Sequence, residues 1–150
     1  RQRQMCIRDR NMVLNIAKFL KCWWPTIIVM AVVCYAIFFP DPVGDSMDMS
    51  IPHLDKLIHA IMMGGIVAAV AFDLQRADMS RNCLTFRTMA IITLSVMAFG
   101  VLSEILQSAM GLGRTGDIFD IAADWGGALI AAFTAPPAIH AVLKKSRRHQ

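Results

Sequence analysis

Apolar residues run through the chain in four long blocks separated by short polar breaks, covering about 19–39, 57–74, 89–106 and 118–143. A helix rises about 1.5 Å per residue, so each block can cross, or nearly cross, a hydrocarbon core about 30 Å thick. The pattern predicts an all-α fold, a polytopic membrane bundle of four transmembrane helices. Trp23 and Trp24 stand where interfacial anchors belong in the first block, and Pro40 stops it. Pro136 and Pro137 interrupt the last block, which is expected to kink there or to end and restart.

The polar positions are not scattered. Asp55, Lys56 and His59 open the second block, Glu104 and Gln107 close the third, and Arg114, Asp117, Asp120 and Asp124 lead into the fourth. With four spans, all of these fall at the same end of the bundle. Asp55 and His59 are four apart, Glu104 and Gln107 three apart, and the three aspartates are spaced by three and then four, so each set shares one helix face. Asp124 lies about 10 Å deeper than Asp117 along a helix axis. An aspartate near the middle of a span costs roughly 2.5–3.5 kcal/mol on insertion scales, which places Asp124 on the bundle interior. Gly64, Gly65, Ala68 and Ala69 in the second block, and Ala123, Gly127 and Ala131 in the fourth, form small-residue stripes that let helix backbones approach closely.

Composition agrees with a membrane domain: 56% of the 150 residues are hydrophobic, 17% are charged, and the mean hydropathy is +0.51. The formal charge of +4 does not point to nucleic acid as a partner. RQRQMCIRDR at the start resembles the in-frame translation of a sequencing-transposon adapter, so residues 1–10 are expected to be a non-native leader and Met12 the native start. Without that leader the charge falls to about +1. Residues 11–143 then form the membrane domain and residues 144–150 a basic tail. Cys22, Cys34 and Cys83 have no CxxC spacing, so neither a disulfide framework nor a thiolate metal site follows.

Basic residues set the expected orientation. Lys18 and Lys21, then Arg76, Arg81 and Arg87, then Lys144, Lys145, Arg147 and Arg148 all fall on one side of a four-span bundle, which predicts a plasma (inner) membrane protein with both termini cytoplasmic. The first span is expected to stay uncleaved, because YAIFFP lacks a small-residue cleavage pattern. The polar cluster then faces outward. In it five carboxylates (Asp55, Glu104, Asp117, Asp120 and Asp124) stand against two cations, Lys56 and Arg114, with His59 between. Protonation, an imidazolium, a bound cation or a cationic ligand group would each answer that excess, and the sequence does not choose among them.

DKLIHA, SEILQ and GRTGDIFDIAADWGG, in this order and each at the same end of a successive span, resemble the VanZ-like membrane family over about residues 50–135. The resemblance implies a multispan protein of the bacterial cell envelope, in a family whose founding member is associated with resistance to a glycopeptide antibiotic. It carries over Asp55, Lys56, His59, Glu104, Gln107, Arg114, Asp117 and Asp120. Asp124 departs from the pattern, which usually places Asn there before the glycine, and so adds a group that can carry a negative charge.

Three classes of function follow. In the first, an outward-facing pocket binds or modifies a membrane lipid or lipid-linked envelope precursor. His59, Glu104 and Asp120 are its acid and base candidates, and Asp55, Lys56, Gln107, Arg114, Asp117 and Asp124 its ligand-binding candidates, with Lys56 and Arg114 on phosphate or carboxylate oxygens. In the second, the same residues only fix helix packing. In the third, which lacks partner groups deeper in the spans, they conduct ions or protons. No cofactor is named by the sequence, and a metal variant using His59 with carboxylates has no tight ligand motif behind it.

Overall fold

The computed structural model describes residues 20–37, 54–79, 81–110 and 118–147 of the chain. They form four helices, α1 (Leu20–Ile37), α2 (Leu54–Ala77), α3 (Phe86–Met110) and α4 (Ile118–Arg147), with no strand among the described residues. All four are long and apolar enough to cross a membrane, which makes the chain a multi-pass membrane protein with an all-α bundle fold. The expected leader at 1–10 and the last residues of the tail lie outside the described residues.

Around an apolar core, burial departs from that of a water-soluble bundle. Ile61, Leu94, Ile130 and Phe133 are exposed, whereas His59, Asp73, Gln75, Thr93, Ser103, Glu104, Gln107, Asp120 and Asp124 are buried. Lipid chains solvate large aliphatic side chains as well as a protein core does, so the groups that most need the interior are the polar ones.

The closest approach is between α2 and α4, which pack together over a longer stretch than either packs on α3. They run in the same direction. The buried face of α4 carries Asp120, Asp124, Gly127, Ala128, Ala131, Ala135 and Ile139, a seam that keeps returning every three or four residues. A Cβ on Gly127 would overlap the backbone of Ala60, and one on Gly64 would stand 3.0 Å from the Gly127 carbonyl oxygen. The Gly64, Gly127 and Ala131 positions of the small-residue stripes therefore meet each other. Gly65 instead faces α1, with Val29 at 3.8 Å.

α1 is fastened to the bundle at both ends. Pro25 has no N–H for the Lys21 carbonyl, and its ring crowds the preceding turn. Arg76 of α2 donates to the carbonyls of Lys21 (3.4 Å) and Cys22 (2.5 Å). Asp73, fully buried, accepts from the N–H of Thr26 at 3.0 Å and from its hydroxyl at 2.8 Å, and pairs with Arg76 at 3.1 Å. At the other end Gln107 of α3 donates to the Ile37 carbonyl at 3.0 Å, one of the final carbonyls of the described helix. Between these fastenings Val33 and Ile37 join the core.

The turn from α2 to α3 is organised by Gln75, which donates to the carbonyls of Asp78 and Arg81 and accepts the Cys83 N–H. Thr85 caps α3 by accepting the Thr88 N–H on its hydroxyl. At the far end α4 neither stops nor restarts at Pro136–Pro137 but continues to Arg147. Pro136 lines a lipid-side groove and Pro137 is exposed, so both rings lie away from the close packing with α2.

The backbone contact at Gly127 gives a direct prediction. Gly127→Ala must push α4 from α2, an overpacking cost of about 1–3 kcal/mol or more. Nothing lies within 4 Å of a Cβ on Gly126. Gly126→Ala is therefore expected to be neutral, or stabilising by up to about 1 kcal/mol through helix propensity. Thermal or denaturant unfolding of the two variants in detergent checks the contrast, and equal effects would rule out the contact.

Candidate functional site

The shared direction and close spacing of α2 and α4 align their side chains turn by turn. Lys56 Nζ lies 3.1 Å from Asp120 Oδ1, and one turn deeper His59 Nδ1 lies 3.1 Å from Asp124 Oδ1. One further turn down, Ala60 and Gly64 meet Gly127. Short aspartates can span the gap because the helices are held at glycine distance immediately below them.

α3 closes the third side. Its buried face changes character along its length: Met89, Ile92 and Val96 give way to Gly100, Ser103, Glu104 and Gln107. Glu104 Oε1 lies 3.8 Å from His59 Nδ1, so one ring nitrogen faces two carboxylates from two different helices. Gly100, one turn before Glu104, is what lets α3 come in. A Cβ there would stand 2.8 Å from Asp124 Oδ2. Ser103 turns its hydroxyl back to the Gly100 carbonyl at 2.7 Å and takes no part in the cluster.

The resulting recess is graded from wet to dry. Asp55 is exposed at its mouth. Lys56 follows, with its side chain 31% accessible and its ammonium 5.6 Å from the Phe119 ring centre. Asp120 is 8% exposed, His59 5%, Glu104 4% and Asp124 0%. Charge interactions strengthen along this path as water is lost. Asp124 Oδ2 is buried with no hydrogen-bond partner, so the deepest carboxylate uses one oxygen and holds the other in reserve.

Of the residues singled out in the sequence, Asp55, Lys56, His59, Glu104, Asp120 and Asp124 are brought together. Gln107 lies one turn beyond Glu104, and its amide is committed to α1. Arg114 and Asp117 lie outside the described residues. Asp120 is the ion-pair partner of Lys56, whereas Asp124 joins Glu104 and His59 at the centre.

Sequence reasoning passed over Gly100 and Asp73. A glycine inside an apolar helix, one turn from a buried glutamate, was the available signal for the first. Asp73 is legible as an acid inside a span, and its partner Arg76, counted above only among the orienting basic residues, lies in the last turn of the same helix. Asp73 does not extend the recess toward the opposite face. Met63, Ile66 and Val67, all almost fully buried, lie between it and His59 on α2 and supply no group that could carry a proton. No family model matches the chain, and neither the curated proteins nor the solved structures searched contain a match.

The packing of Asp124 against Gly100 can be measured as a coupling. Gly100→Ala should destabilise the protein by about 1–3 kcal/mol through overpacking. In an Asp124→Ala background part of that cost should vanish, because the oxygen at 2.8 Å is gone while the Cβ at 3.2 Å stays. A double-mutant cycle read by thermal unfolding decides, and strictly additive effects would separate the two residues.

Proposed function

We propose that the chain is a VanZ-like protein of the bacterial cell envelope, with its polar recess facing outward, that binds or modifies the charged head group of a lipid-linked envelope component. The observation that carries the reading is the position of Lys56. Among the described residues it is a partly accessible cation at the mouth of a cluster rich in carboxylates, held by Asp120 and followed inward by His59, Glu104 and Asp124. A phosphate or carboxylate arriving along the membrane surface would exchange Asp120 for itself on the Lys56 ammonium. The freed Asp120, together with His59 and Glu104, would then stand beside the bound group as acid and base candidates. Outward orientation is supported by the basic residues gathered at the opposite ends of the helices, including Arg76, Lys144 and Lys145.

A second reading, in which the cluster serves helix packing alone, is favoured by the fact that Lys56 and Asp120 already satisfy each other. The two separate on substitution. Lys56→Ala should leave the fold intact, because a partly exposed ion pair contributes about 1 kcal/mol or less. In the binding reading it should also lower retention of a prenyl-diphosphate lipid in native mass spectrometry by at least about tenfold, a loss of about 1.4 kcal/mol. Glu104→Gln and Asp120→Asn should abolish any shift in glycopeptide susceptibility that the wild-type chain confers on its host. Folded variants that keep lipid and phenotype at wild-type level would overturn the proposal in favour of packing.

A further inference from the structure

We propose that His59, Glu104 and Asp124 form a binding site for one divalent transition-metal ion, with zinc the best match and manganese the alternative. The inference stands on the geometry of the three residues and does not depend on the lipid reading.

Three features carry it. First, the donor atoms are already grouped: one ligand atom from each residue lies within 4.8 Å of both others, drawn from α2, α3 and α4. Ligands on a tetrahedral ion with bonds of about 2.0–2.2 Å are separated by roughly 3.3–3.6 Å. The observed separations from His59 Nδ1, 3.1 Å to Asp124 and 3.8 Å to Glu104, bracket that range. Second, the donor set is one imidazole nitrogen with two carboxylates, a mixed set that suits zinc or manganese, whereas calcium and magnesium favour oxygen alone. Third, Asp124 is fully buried with Oδ2 unpartnered. A buried carboxylate oxygen with no donor costs free energy, and coordination through that oxygen or through both would give it a partner.

A second grouping, Asp55, His59 and Asp120, shares the same imidazole but makes the poorer site. Asp55 is exposed and Asp120 is engaged by Lys56. The buried set also has the form of a reactive site. Three protein ligands leave a coordination position open, and Asp120 and Lys56 lie one turn from His59 and Asp124 toward the exposed end of the cluster. A metal-bound water or a phosphate oxygen of a ligand would be the natural occupant.

The test uses the full chain purified in detergent, stripped with a chelator and titrated with zinc chloride or manganese chloride. The expected result is one equivalent bound per chain with a raised unfolding temperature. X-ray absorption of the zinc-loaded wild type should show an imidazole nitrogen and carboxylate oxygens and no sulfur. Asp124→Asn and Glu104→Gln should each weaken binding at least a hundredfold, whereas His140→Ala, at the opposite end, should leave it unchanged. The wild-type absorption spectrum keeps the test decisive if a variant fails to fold. No binding at tenfold excess of either metal, a sulfur-containing shell, or loss of binding on Asp55→Asn with retention in Asp124→Asn would overturn the proposal.

Discussion

The contact between the backbones of Ala60 and Gly127 determines most of what this bundle can do. Helices carrying ordinary side chains pack at about 8–10 Å between axes, and small residues at the contact let two backbones come closer and fix their register. Gly127 on α4, with Gly64 opposite it on α2, provides that contact. Because α2 and α4 run the same way, the register fixed there is repeated one and two turns toward the polar end, and it sets Asp124 against His59 and Asp120 against Lys56. Substituting either glycine would therefore disturb a charged cluster that touches neither residue.

Around this pair the other two helices do different work. Apart from Thr93, the buried face of α3 is apolar over its first half and becomes polar toward its last turns, with Gly100 admitting the Asp124 carboxylate and Glu104 closing the cluster. Beyond Lys21, α1 carries no aspartate, glutamate, lysine, arginine or histidine among the described residues. It is tied by Asp73 and Arg76 at its proline-interrupted turn and by Gln107 at its far end. Both ties satisfy main-chain groups of α1, and such groups have few other partners where water is scarce. The molecule thus separates a structural polar network at one end from a chemically richer one at the other, with the buried apolar residues Met63, Ile66 and Val67 of α2 between them.

Much of this was legible in the chain itself, for physical reasons that also set the limit. Four apolar blocks with polar ends can only be spans, and side chains three or four apart must share a face, so the gathering of Asp55, Lys56, His59, Glu104, Asp120 and Asp124 at one end follows from spacing. Spacing does not give the rotation of one helix against the next. That rotation decides that Gln107 turns to Ile37 and not to the recess, and that Asp124 rather than Asp120 joins Glu104 on His59. The small-residue stripes were readable as a close approach, but Gly65 and Gly127 look alike in sequence and meet different neighbours. Asp73 and Arg76 illustrate the same limit, since their role depends on a proline in another helix, nearly fifty positions earlier. The run of α4 past Pro136 reflects packing that places both prolines outside the tight seam.

The central claim is that α2 and α4 are held in one register that joins an imidazole to a carboxylate inside the membrane. Solid-state nuclear magnetic resonance of the full chain in lipid, with labelled histidine nitrogen and aspartate carboxyl carbon, addresses it directly. The account predicts a strong through-space correlation between the His59 ring nitrogen and the Asp124 carboxyl carbon that collapses in Gly127→Leu. A His59 ring with no aspartate carbon near it in the wild type, or a correlation indifferent to Gly127, would contradict it.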